Sequence, residues 1–183
     1  MKTLAKDFSE RNEWENNRSS AVYPLYIKDK SDFILTFINY WKMKNKINNV
    51  FLIISIFKED GEKYGQKKLH IKDHNEISIS NTFNLKKFKG IAHVEFFSEQ
   101  NLRFPFPAIS GFYISPKRLL SGVHSAGRIL NPSEVKKEKI SYEESNFSLK
   151  FRKGVTTPFF SFFNSSVEKK NNKILVTLRD SNK

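Results

Sequence analysis

Cysteine is absent from the chain, which removes disulfide bridges, thiolate metal sites and a cysteine nucleophile from consideration. Glycine is scarce, with seven residues scattered along the sequence, so neither a glycine-rich phosphate loop nor a nucleophile elbow is present. Long apolar runs are missing too. The longest, Val50 to Ile56, is interrupted by Ser55 and falls far short of the roughly 20 residues that cross a bilayer. Met1 to Phe8 hold no apolar stretch of signal-peptide length, and Glu10, Glu13 and Glu15 follow at once, so a cytoplasmic location without a membrane span is the expectation. Acidic residues are outnumbered, 19 against 32 lysines and arginines, for a net charge of +13.

What is present describes a folded domain. The length of 183 residues suffices for a buried core, and 38% hydrophobic, 28% charged and 14% aromatic residues separate the chain from disordered sequences. The positive charge points toward a polyanion such as nucleic acid. Only seven of the basic residues are arginine, however, and lysine, asparagine, isoleucine and phenylalanine are together what an A+T-rich coding sequence yields without selection for binding. Phosphate recognition of defined geometry favours the arginine fork.

Residues 1–20 read as a polar arm in which Phe8 and Trp14 are the large apolar groups, and 21–183 as one domain. From Ala21 onward no window sustains helical spacing, and short apolar segments alternate with turn residues. Strands are expected at Ala21 to Ile27, Asp32 to Tyr40, Val50 to Phe57, Lys67 to Ile71, Glu76 to Thr82, Gly90 to Ser98 and Gly111 to Ser115. Four more are expected at Lys139 to Glu143, Asn146 to Arg152, Pro158 to Asn164 and Lys173 to Arg179. Asp60-Gly61 is a hairpin signal, and Pro105, Pro107, Pro116 and Pro132 break up the middle of the chain. Some ten short strands at this spacing predict an all-β antiparallel sandwich, jelly-roll-like, with eighteen phenylalanines supplying much of its core. The stretch Phe33 to Asn39, a basic Asn-rich turn and Val50 to Phe57 resembles Pro158 to Asn164, a similar turn and Ile174 to Leu178. Both read as one kind of hairpin, which suggests two related halves, although shared composition produces the same likeness.

The segment from Asn101 to Arg128 concentrates residue types that are rare elsewhere, namely proline, arginine, histidine and glycine, in a loop-like stretch where binding groups are commonly mounted. Arg103, Lys117, Arg118, His124 and Arg128 are its candidate ligand-binding residues. Ser115-Pro116 is suited to start a helical turn whose free N–H groups, beside Lys117 and Arg118, favour an anion. A crossover between sheets explains the same prolines and glycines without a ligand.

A second candidate is a metal site. His93 and Glu95 point to one face of their strand, and with His124 they form a His/Glu/His set for Fe, Zn or Mn of the kind that non-haem iron oxygenases build. The spacing resembles the cupin and 2-oxoglutarate oxygenase pattern over these three residues, which implies a carboxylate co-substrate held by Arg128. Against it, Ala92, Val94 and Phe96 make the better apolar face and leave His93 and Glu95 to solvent. His70 and His74 lie on a strand and a turn, where their spacing does not unite them. Asn39 to Lys46 and Phe147 to Lys153 interleave rings with lysines, as a nucleic-acid platform does, and Tyr23, Tyr26, Tyr40 and Trp41 suit a sugar.

With the usual catalytic motifs missing, the sequence favours a non-catalytic β-sandwich binding module over an enzyme. It would contact a carbohydrate, an anionic polymer or a protein partner through residues 103–128. A small jelly-roll metalloenzyme and a lysine-driven nucleic-acid binder are the alternatives.

Overall fold

Strands with apolar residues at every second position can bury one face only by stacking on another sheet, and the described residues of the chain solve this with two antiparallel sheets of four strands each. The structure, a computed structural model, describes residues 16–129 except 29, 117 and 126. Within them run β1 (Arg18–Ile27), β2 (Asp32–Ile38), α1 (Tyr40–Asn45), β3 (Phe51–Lys58), β4 (Lys63–Leu69), β5 (His74–Ser78), α2 (Ile79–Phe83), β6 (Phe88–Phe97), β7 (Ser110–Ser115) and β8 (Arg118–Val123). The first sheet has the order β1-β6-β3-β4 and the second β5-β2-β7-β8.

The inward faces follow the period of two. Ala21, Tyr23, Leu25 and Ile27 of β1, Leu52, Ile54 and Ile56 of β3, and Ala92, Val94 and Phe96 of β6 meet Phe33, Leu35 and Phe37 of β2, all of them buried. Ring contacts join the layers: Tyr23 to Phe33 at 5.5 Å between centroids, and Phe37 edge-on to Phe96 at 5.1 Å. The all-β sandwich expected from the sequence is therefore present. β3 and β4 form a hairpin around Asp60-Gly61, where Gly61 takes a φ of 87° that a side chain would resist.

Several local expectations are corrected. The strand expected to run to Tyr40 stops at Ile38 because Asn39 caps α1, its side chain accepting from the Lys42 N–H at 3.2 Å. The strand expected over Glu76 to Thr82 ends at Ser78, which caps α2 in the same way through the Asn81 N–H at 3.0 Å. Ser115-Pro116 opens no helical turn; Ser115 pairs with Arg118 in a β7–β8 hairpin. The hairpin expected from Phe33 to Phe57 does not form, since β2 and β3 belong to different sheets with α1 between them. β1 already starts at Arg18, three residues inside the expected arm. The four strands expected beyond Lys139, the second copy of the suggested repeat and most of the arm lie outside the described residues.

Registers fix what meets at one end of the sandwich. Thr36 pairs with Ser110 and Gly111 with Val123, so the exit of β2, the entry to β7 and the exit of β8 are neighbours. Helix α1 and the connection 98–109 start and finish there.

Candidate functional site

The connection from β6 to β7 is fastened along its length. The Ser98 N–H donates to the Asn17 carbonyl at 3.1 Å, and Asn17 Nδ2 donates to the carbonyls of Ser98 and Glu99, each at 3.1 Å. Asn101 Oδ1 accepts from the backbone N–H of Asn16 and of Arg103, at 3.1 and 2.8 Å. The Leu102 N–H donates to the Asn16 carbonyl at 2.7 Å, and the Ser20 N–H of β1 donates to the Pro105 carbonyl at 3.0 Å. At the far end the Tyr23 hydroxyl donates to the Ile109 carbonyl at 2.9 Å. Burial drives that phenol's pKa well above its ordinary range, so it stays a donor.

Between these anchors the side chains divide. Leu102 and Ile109 are buried, whereas Phe104 and Phe106 are 43% and 59% exposed. Pro105 and Pro107 fix φ at alternate positions and hold the residues before them in extended conformations, so the two phenyl rings face outward from a backbone with little freedom to withdraw them.

Opposite stands α1. Its Trp41 is buried against Phe96, 4.9 Å between ring centroids, and donates from Nε1 to the Leu102 carbonyl at 3.0 Å. Tyr40 meets Phe104 edge-on at 6.1 Å, and Lys44 Nζ sits 5.0 Å from the Tyr40 ring centroid, within cation–π reach. Between helix and loop opens a groove of about 250 Å³. Phe37, Trp41 and Phe96 line its floor, Ile38 and Tyr40 one wall, Phe104 to Ala108 the other apart from Pro105, and His124 follows β8 to its edge.

The chemistry of this lining is narrow. It contains neither carboxylate nor lysine, serine or threonine; His124 and the Tyr40 phenol are its titratable groups. Such a surface desolvates and grips an apolar group, contributing about 1.5–3 kcal/mol for a fully buried large side chain.

The candidates from the sequence are distributed as follows. His124 borders the groove and is exposed. Arg103 is exposed beside Phe104, with its backbone at φ 66°, and Arg128 is half-buried near β1. Lys117 and the side chain of Arg118 lie outside the described residues. The metal set does not assemble: His93 and Glu95 share the outer face of β6, while His124 meets the groove lined by Phe96 from the opposite face. Among the described residues no group of three His, Asp or Glu is placed to hold a metal ion. Nor are His93 and Glu95 left to solvent. His93 packs on Phe57 at 4.6 Å, with burial and then the Arg18 charge lowering its pKa, and Glu95 lies 3.5 Å from Arg18. Burial raises the Glu95 pKa and the charges of Arg18 and Lys63 oppose the rise. Of the tyrosines proposed for sugar stacking, Tyr23 is core, Tyr26 is on the outer face of β1, and Tyr40 is at the groove.

Phe104 and Phe106 were not singled out from the sequence. The Phe-Pro-Phe-Pro alternation was the available signal, since a proline after each phenylalanine restricts that residue's backbone to extended conformations. No helix among the described residues is long and apolar enough to cross a membrane. Comparison of the chain with protein-family models, with curated proteins and with solved structures finds no match to any of them.

Proposed function

We propose that the protein is a non-catalytic binding module that holds an apolar group of a protein partner in the groove between α1 and residues 102–108. One observation carries this reading: Phe104 and Phe106 are exposed on a loop fastened at both ends, facing a helix that supplies a further ring. Exposed rings cost solvation free energy, and the fastened loop keeps both of them at the surface. Of the three ligand classes the sequence suggested, a protein partner fits best. A sugar or a nucleobase carries several polar edges, for which the side chains of this lining offer little beyond the Tyr40 phenol and His124, whereas a leucine, phenylalanine or tryptophan side chain has little to lose there.

The test uses N-phenyl-1-naphthylamine, an uncharged fluorescent apolar probe. The native protein should bind it saturably, and the double variant F104S/F106S should bind it at least about tenfold more weakly while melting within a few degrees of the parent, as surface substitutions do. Equal binding by parent and variant would refute the groove as the site.

A further inference from the structure

We infer that the groove's occupant is a peptide segment in which an aromatic or aliphatic anchor is flanked by aspartate or glutamate. The inference rests on the groove reading above and adds the charge of the partner.

Its basis is where acidic residues are missing. After Asp32 the next acidic residue is Glu59, and after Glu99 the next is Glu134. These two acid-free intervals contain every groove-lining residue except Phe96. In a chain with 19 acidic residues, the walls have none. Cations are kept: Lys42, Lys44 and Lys46 on and just after α1, and Arg103 next to Phe104. Lys42 is committed to Asp73, which reaches it from the β4–β5 connection at 2.7 Å. Lys44 lies over Tyr40, Lys46 donates to the Met43 carbonyl, and Arg103 is exposed, and among the described residues none of the three is in an ion pair. Positive charge thus stands on both walls of an apolar slot. Acidic residues beside the anchor would meet it at the wet rim, speeding encounter, while the anchor is desolvated in the centre. A lysine-flanked segment would meet repulsion on either wall. Single-stranded nucleic acid shares the negative charge, but its bases would place polar edges against hydrocarbon.

The experiment selects 12-residue peptides from a random displayed library on the full chain, in parallel with selections on F104S/F106S and on K44E/R103E. The expected consensus is an aromatic or leucine residue with aspartate or glutamate within two positions on either side. It should be absent from the F104S/F106S selection, and synthetic peptides carrying it should bind K44E/R103E about tenfold more weakly. Apolar anchors with neutral or basic flanks would overturn the inference and leave the groove reading intact. A selection with no consensus dependent on Phe104 and Phe106 would also overturn it, and the fluorescent probe then decides separately whether the groove binds at all. Tighter binding of an oligothymidylate 12-mer than of the selected peptides, lost in F104S/F106S, would assign the slot to nucleic acid and refute the peptide.

Discussion

The indole of Trp41 donates a hydrogen bond to the carbonyl of Leu102 inside the core, and that contact fastens the helix forming one wall of the groove to the loop forming the other. Both walls depend on it. Trp41→Phe keeps a large ring but leaves the buried Leu102 carbonyl without its donor, which should cost about 1–3 kcal/mol. Thermal unfolding followed by circular dichroism should show a drop of roughly 3–10 °C. The apolar probe should bind less tightly as well, because the walls lose their tie.

Neighbouring residues of the loop should respond in opposite ways. Leu102 is fully buried, and Leu102→Ala should lose about 2–5 kcal/mol in urea unfolding. Phe106 is the most exposed large apolar residue near the groove, and Phe106→Ser should stay within about 0.5 kcal/mol of the parent. A large loss from Phe106→Ser would mean the ring is structural and would undermine the binding role assigned to it.

Gly111 is required by Phe33. A Cβ at Gly111 would come within 2.2 Å of Phe33 Cζ, and that ring is wedged between Tyr23 and Tyr113, with centroids at 5.5 and 4.8 Å. Gly111→Ala should therefore destabilise by about 3 kcal/mol or more. Combining it with Phe33→Leu, which has no ζ carbon, should recover part of that loss. Additive losses in the double variant would show that the clash is not the cause.

Stability should depend on pH through the outer face of the first sheet. Burial and the Arg18 guanidinium hold His93 below its ordinary value near 6.5, so on acidification the unfolded chain takes up the proton before the folded one, and stability falls as the pH drops below about 6.5. Glu95 has the opposite sign. Its raised pKa lets the folded state protonate first, so its contribution weakens as the pH rises above the ordinary carboxylate value near 4.5. The His93 contribution is isolated by comparing urea stability with His93→Gln: the parent should lose stability relative to that variant as the pH falls from 7 to 5.5.

The two-layer fold was legible because β1, β2, β3 and β6 carry buried apolar residues at every second position, strongly enough to show in the sequence. What was missed depended on single side chains. Asn39 and Ser78 end their strands by capping helices, yet each sits in a run whose apolar residues continue, so pattern alone carried the strands too far. Strand β8 was hidden because Leu119-Leu120 does not alternate and Pro116 suggested a helix start; its pairing with β7 decides its conformation. For the proposed groove, rarity of residue type led to the same stretch of chain but to its cations. The groove is made by phenylalanines, which a chain with eighteen of them does not mark as unusual, and by α1, whose nearness follows from the β2–β7 register.

The central claim is tested most directly at Trp41, one of two tryptophans in the chain and a lining residue of the groove. With the indole nitrogens labelled with ¹⁵N, the Trp41 Nε1–H signal should shift progressively and saturate as an acid-flanked apolar peptide is titrated in, with the same dissociation constant that peptide fluorescence reports. Saturable binding of the peptide with the Trp41 signal unmoved would contradict the account.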